Sequence, residues 1–168
     1  MGSISLYFIL ALVLITKSLA DFKISEFLAS NENGFTDEDS DHSDWIEITN
    51  TKNETSNIGG WHLTDDKSNK KKWVFPPIDI APQETIIVFA SGKNRNQDNS
   101  ELHTNFSLDS NGEYLARVKQ DGETITSEYI FPKQETDVSY GYTLNPINDI
   151  IVSSNTPMEW LIPSSPLE

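Results

Sequence analysis

The sequence predicts an all-β protein, a sandwich or barrel of about seven to nine strands. Three observations predict it. Short β-branched and aromatic runs recur between turns rich in Gly, Pro, Asn and Asp. An Asp-Gly pair, Asp121-Gly122, sits between two such runs. No stretch of about ten residues or more carries the 3.6-residue apolar period of an amphipathic helix.

The chain opens with a segment outside this pattern. Leu6 to Ile15 is an unbroken apolar run, and Ser18 and Ala20 follow in a small-x-small arrangement. The run is shorter than the about twenty residues a spanning helix needs, so residues 1–20 read as a cleaved secretory signal. No later segment is apolar enough to span a bilayer, and the expected address is secreted or cell envelope. Residues 21–143 then form one β-domain. Residues 144–168, with Pro146, Pro157, Pro163 and Pro166 among Asn and Ser, read as a tail or linker.

Within the domain, Phe22 to Leu28 alternates and then slips at Phe27-Leu28. Trp45 to Ile48 sets Ile46 and Ile48 on one face against Trp45 and Glu47 on the other. Trp61 and Leu63 pair in the next run, and Lys72 to Phe75 stops at Pro76-Pro77, which cannot donate to a ladder. Glu84 to Ala90 is nearly continuous, as in a strand buried on both faces. Glu113 to Lys119 and Glu123 to Ile130 form a hairpin, because Asp-Gly suits the positive φ angles of a tight turn. Val138 to Tyr142 closes the set.

Composition narrows the function. The chain has 26 Asp and Glu against 12 Lys and Arg, a formal charge of −14. That balance repels phosphate backbones, so nucleic acid is not an expected partner. There is no cysteine, which excludes thiol catalysis and Cys-ligated zinc. No Gly-x-Ser-x-Gly elbow or Gly-rich phosphate loop is present, and no enzymatic role is expected. Asn53 and Asn105 head glycosylation triplets.

The densest chemical signal is the run from Asp37 to Asp44. Asp37, Asp39 and Asp41 have the i, i+2, i+4 spacing with which a loop wraps one hard cation. The sixth position, Gly in an EF-hand, is His42, and the twelfth is Ile48, which has no carboxylate. Two readings stay open: a calcium site of another type built on Asp37, Asp39, Asp41 and Asp44, or a solvated turn whose Asp side chains bond nearby backbone N–H groups. No other cofactor is expected. Asp65-Asp66 reads as a turn, and Lys70-Lys71-Lys72 as a solvated edge. His103 reads first as a hydrogen-bonded structural histidine, with surface recognition second. Trp73 is a candidate recognition residue, because exposed aromatics on a sandwich face can stack sugar rings.

Ile24 to Asn31, Asp37 to Asn50, Gly60 to Asp66, Ile86 to Lys93, Leu102 to Leu108, Gly112 to Leu115 and Ser139 to Gly141 occur in the order seen in bacterial secreted lamin tail domains. Over roughly Ile24 to Tyr142 the chain resembles that family. The resemblance implies an immunoglobulin-like β-sandwich and a non-catalytic role in binding or tethering. The expected function is therefore an exported module that docks on an extracellular or cell-surface protein or glycan. Two alternatives stand beside it: a carbohydrate-binding module, and an N-terminal accessory domain of a truncated exported hydrolase or kinase-like protein.

Overall fold

The computed structural model describes residues 21–97 and 100–141. The readings of a signal at 1–20 and a tail at 144–168 lie outside these residues. The described chain is all-β, with no helix.

Five strands form the first sheet: β1 (Phe22–Leu28), β2 (Asp44–Asn50), β7 (Thr85–Ala90), β8 (Leu102–His103) and β11 (Tyr140–Gly141). Their order is β11-β1-β2-β7-β8, antiparallel except for the parallel β7–β8 pair. The second sheet, in the order β10-β9-β4-β5, holds β4 (His62–Thr64), β5 (Trp73–Val74), β9 (Tyr114–Val118) and β10 (Ile125–Ile130). A small ribbon pairs β3 (Ser56–Asn57) with β6 (Asp79–Ile80). The described strands number eleven. The excess over the expected count comes from two-residue pairings such as β3, β6 and β8, too short for any alternation to reveal.

Ile24, Phe27, Ile46, Ile48 and Val88 from the first sheet meet Leu63, Trp73, Leu115 and Tyr129 from the second in one buried core. Rings make much of this contact: Phe27 packs edge-on to Tyr129 at 5.2 Å, and Phe22 edge-on to Trp61 at 5.4 Å. Tyr129 also ties the layers together, its hydroxyl donating to the Ile24 carbonyl at 2.8 Å. One charge enters the core. Arg117 is fully buried, lies 4.8 Å over the Trp61 ring, and donates from Nη2 to Thr126 Oγ1 at 2.7 Å. Burial lowers its pKa to about 9.

Three local expectations need correction. The slip in β1 lies not at Phe27-Leu28 but one turn of the pleat earlier. Ile24 pairs with Ile48 and Glu26 with Glu47, so Ser25 is the extra residue of a bulge. Beyond it Phe27 enters the core while Leu28 joins a separate apolar cluster on the outer face. In β7, Val88 and Phe89 are buried on opposite faces, but Ile86 and Ile87 are only half-buried and Thr85 is exposed. In the β9–β10 hairpin only Gly122 takes a positive φ, 71°. Asp121 instead accepts from the Glu123 and Thr124 N–H groups, both at 2.8 Å, so its side chain rather than its backbone shapes the turn.

Candidate functional site

β2 starts at Asp44 opposite the end of β7 at Ala90. The loop entering β2 and the loop leaving β7 therefore emerge at the same end of the sheet. This adjacency brings the acidic run onto the polar segment that carries Lys93 and Arg95.

Asn31 shapes the first loop. It is buried, its amide donates to the Phe35 carbonyl at 3.0 Å and the Ser43 carbonyl at 2.8 Å, and its Oδ1 accepts from Gly34 N–H at 3.0 Å. Asp37 shapes the acidic turn within it. Its Oδ1 accepts from the N–H groups of Asp39 at 3.0 Å and Asp41 at 3.1 Å, while Oδ2 accepts from Ser43 Oγ at 2.7 Å.

Lys93 completes the arrangement. Its Nζ lies 2.6 Å from Asp37, 2.7 Å from Asp39 and 2.9 Å from Asp41. Arg95 reaches Glu38 at 2.7 Å and Asp39 at 2.8 Å. Burial alone would raise the Asp37 pKa. Hydrogen bonds from Lys93, Ser43 and two backbone N–H groups outweigh it and hold the carboxyl well below its ordinary range. Burial likewise opposes the Lys93 charge, and the three carboxylates overcome it and raise that pKa.

Carboxylate oxygens of Asp37, Asp39 and Asp41 lie within 4.8 Å of one another, a spacing compatible with one cation. A lysine ammonium already sits among them. A calcium ion would have to displace it, and it would find two of the three carboxylates substantially exposed. Asp44, the fourth residue of the expected set, is absorbed elsewhere: its Oδ1 accepts from Asn31 N–H at 3.3 Å, and burial raises its pKa to about 6.

Neither His103 nor Trp73 is at the surface, so His103 follows its first, structural reading and Trp73 is not a recognition residue. His103 is fully buried, bonded through Nδ1 to Ser91 Oγ at 2.8 Å and stacked on Phe89 at 5.2 Å. Burial lowers its pKa. Trp73 is 2% exposed and packs edge-on against Phe75. Trp45 and Trp61 are buried as well, so no tryptophan among the described residues offers an open face for stacking. Asp65-Asp66 is the expected turn: Asp66 N–H donates to Thr64 Oγ1 at 2.9 Å, and Asp66 Oδ1 accepts from Ser68 N–H at 2.8 Å.

A second feature lies on the outer face of the five-stranded sheet. Leu28, Trp45 and Phe89, adjacent across β1, β2 and β7, form an apolar cluster away from the main core. Phe35 arches over from the Asn31 loop, stacked on Trp45 at 5.4 Å yet 47% exposed. Beneath it a groove of about 340 Å³ runs past Glu26 and Glu47 to Asp137. Sequence reasoning set Trp45 and Glu47 on one strand face but did not join them to Phe35, Glu26 or Phe89. A lone loop aromatic and two separated glutamates give no signal until the strand register joins them.

No curated protein matches the chain. The lamin tail domain family matches residues 16–131. That match spans most of the chain and agrees with the two-sheet, helix-free architecture. This protein belongs to the lamin tail domain family, a non-enzymatic class of immunoglobulin-like β-sandwich.

Proposed function

We propose that this lamin tail domain is an exported, non-catalytic docking module that tethers its bearer to an extracellular or cell-surface partner. The observation that carries the reading is a division of labour among its polar residues. The residues with chemical potential in the sequence, Asp37, Asp39, Asp44 and His103, are bound up in holding loops. The outer face of the sheet, by contrast, presents a pre-formed groove under the exposed ring of Phe35. A concave, largely apolar surface on a rigid scaffold suits recognition. The apolar leader supports export.

Fusion to a reporter enzyme tests the proposal. The reporter carrying residues 1–168 is expected to leave the cytoplasm and stay on the cell surface, while one carrying residues 1–20 alone is released to the medium. Equal release of both, or retention of both inside the cell, overturns it.

A further inference from the structure

Glu26 and Glu47 stand directly opposite each other across the β1–β2 ladder, on the outer face. Like charges in that relation repel, which sheets normally avoid. Neither glutamate has an ion-pair partner within 4.0 Å among the described residues. Each accepts one serine hydroxyl, Glu26 from Ser139 and Glu47 from Ser25. Lys23 feels the Glu47 charge through space without forming an ion pair with it. The third carboxylate of the groove, Asp137, is committed to the Glu32 and Asn33 N–H groups at 2.7 Å and 3.0 Å.

Apart from Gly34 and Ser139, the rest of the groove is apolar or aromatic: Leu28, Ile87, Trp45 and the overhanging Phe35. Trp45 is 8% exposed, and its indole N–H is closed off from solvent with no hydrogen-bond partner among the described residues. The groove therefore combines two demands: a positive charge between Glu26 and Glu47, and an apolar stem against the rings.

We propose that this groove binds an extended, basic segment of a partner protein, seating one arginine or lysine side chain between Phe35 and the Glu26–Glu47 pair. The side chain lays its methylene stem along Leu28 and Ile87, and its cation relieves the carboxylate repulsion. The neighbouring aromatic faces attract the same cation. A sugar would hydrogen-bond the carboxylates but would leave the two negative charges opposed, and Trp45 is already covered by Phe35. The inference rests on the docking role proposed above and names its site and partner chemistry.

The test uses the protein and three peptides of one sequence, capped at both ends, carrying arginine, lysine or the uncharged isostere citrulline. The Trp45 indole N–H resonance reports binding. The arginine and lysine peptides are expected to shift it, and the citrulline peptide is not. Glu26→Gln with Glu47→Gln together should weaken binding at least about tenfold, as expected for loss of charge-assisted hydrogen bonds. Phe35→Ala should weaken it by a similar factor. Glu54→Gln, which removes an exposed acid elsewhere, should leave it unchanged. The free glutamine double variant should melt no lower than the parent, since it removes a repulsion. Equal binding of the citrulline peptide, no response to any peptide, or a Trp45 shift with neutral β-glucan oligosaccharides instead would each overturn the proposal. The reporter assay separates the two readings. Surface retention that survives the double variant overturns the groove and leaves tethering intact. Reporter release together with peptide binding does the reverse.

Discussion

The Lys93 ammonium lies 2.6 Å from Asp37 Oδ2, though 56 residues separate the two in sequence. The contact locks the loop entering β2 to the loop leaving β7. The Asp37 carboxylate is sealed from solvent, whereas Asp39 and Asp41 remain partly open.

Lys93→Met leaves three carboxylates together with no ammonium among them. Solvent screens the outer two, so the expected loss is about 1–2 kcal/mol rather than the larger cost of a fully buried pair. The same substitution vacates the position a cation would take. Millimolar calcium is therefore expected to raise the melting temperature of Lys93→Met and to leave the parent unchanged, each measured against chelator. A calcium-dependent rise in the parent would show that the ion outcompetes the lysine.

Two aspartates a few residues apart act on stability with opposite sign. Asp37 is held below its ordinary pKa in the fold, so the stability it contributes is complete above about pH 4 and is lost as pH falls toward the folded value. Asp44 is raised to about 6. The folded state then favours the protonated form, and the benefit present below about pH 4 disappears as pH rises through 6. Asp44→Asn should stabilise the protein at neutral pH by about 1 kcal/mol after allowance for partial exposure, and should make no difference below about pH 4. Denaturant titrations across that interval check both signs.

Arg117 is a charge in the core without a carboxylate in contact among the described residues. Truncation to Ala removes its stem from between the sheets and should cost about 3 kcal/mol. Arg117→Met keeps most of the volume and removes the buried charge. It is expected to be close to neutral or stabilising. Chemical unfolding of the two variants distinguishes a charge that stabilises from one that merely fills space.

Tyr129→Phe deletes the hydroxyl that reaches the Ile24 carbonyl and keeps the ring against Phe27. The expected cost is about 1 kcal/mol or somewhat more, because a buried acceptor loses a partner. Slower amide exchange in β1 of the variant than in the parent would contradict this role.

Much of the sandwich was legible because the side-chain period is local. Trp45 to Ile48 shows its two faces in four residues, and Asp121-Gly122 marks its hairpin. The bulge at Ser25 was not legible, since an extra residue reveals itself only when the partner strand is aligned. Lys93 and Arg95 could be matched to their acids only through the β2–β7 neighbourhood. His103 is the hydrogen-bonded structural histidine expected first, packed on Phe89 where β8 runs parallel to β7. Trp73 misled, because an aromatic beside a turn suits a surface, but in β5 it turns into the main core. The Glu26–Glu47 opposition is likewise a property of register, invisible in either strand alone.

The bulge in β1 also bears on how this strand tolerates change in length. Ser25 and Glu26 share one place in the ladder, so Ile24 and Phe27 both face inward across a spacing that plain alternation would forbid. Deleting Ser25 would restore ordinary alternation without inverting either face. It would cost the serine's bonds to Thr49 and Glu47 while leaving the core residues in place. A one-residue deletion at that point is thus a mild event for this fold. A few positions further along the same strand, the same event would exchange core for solvent.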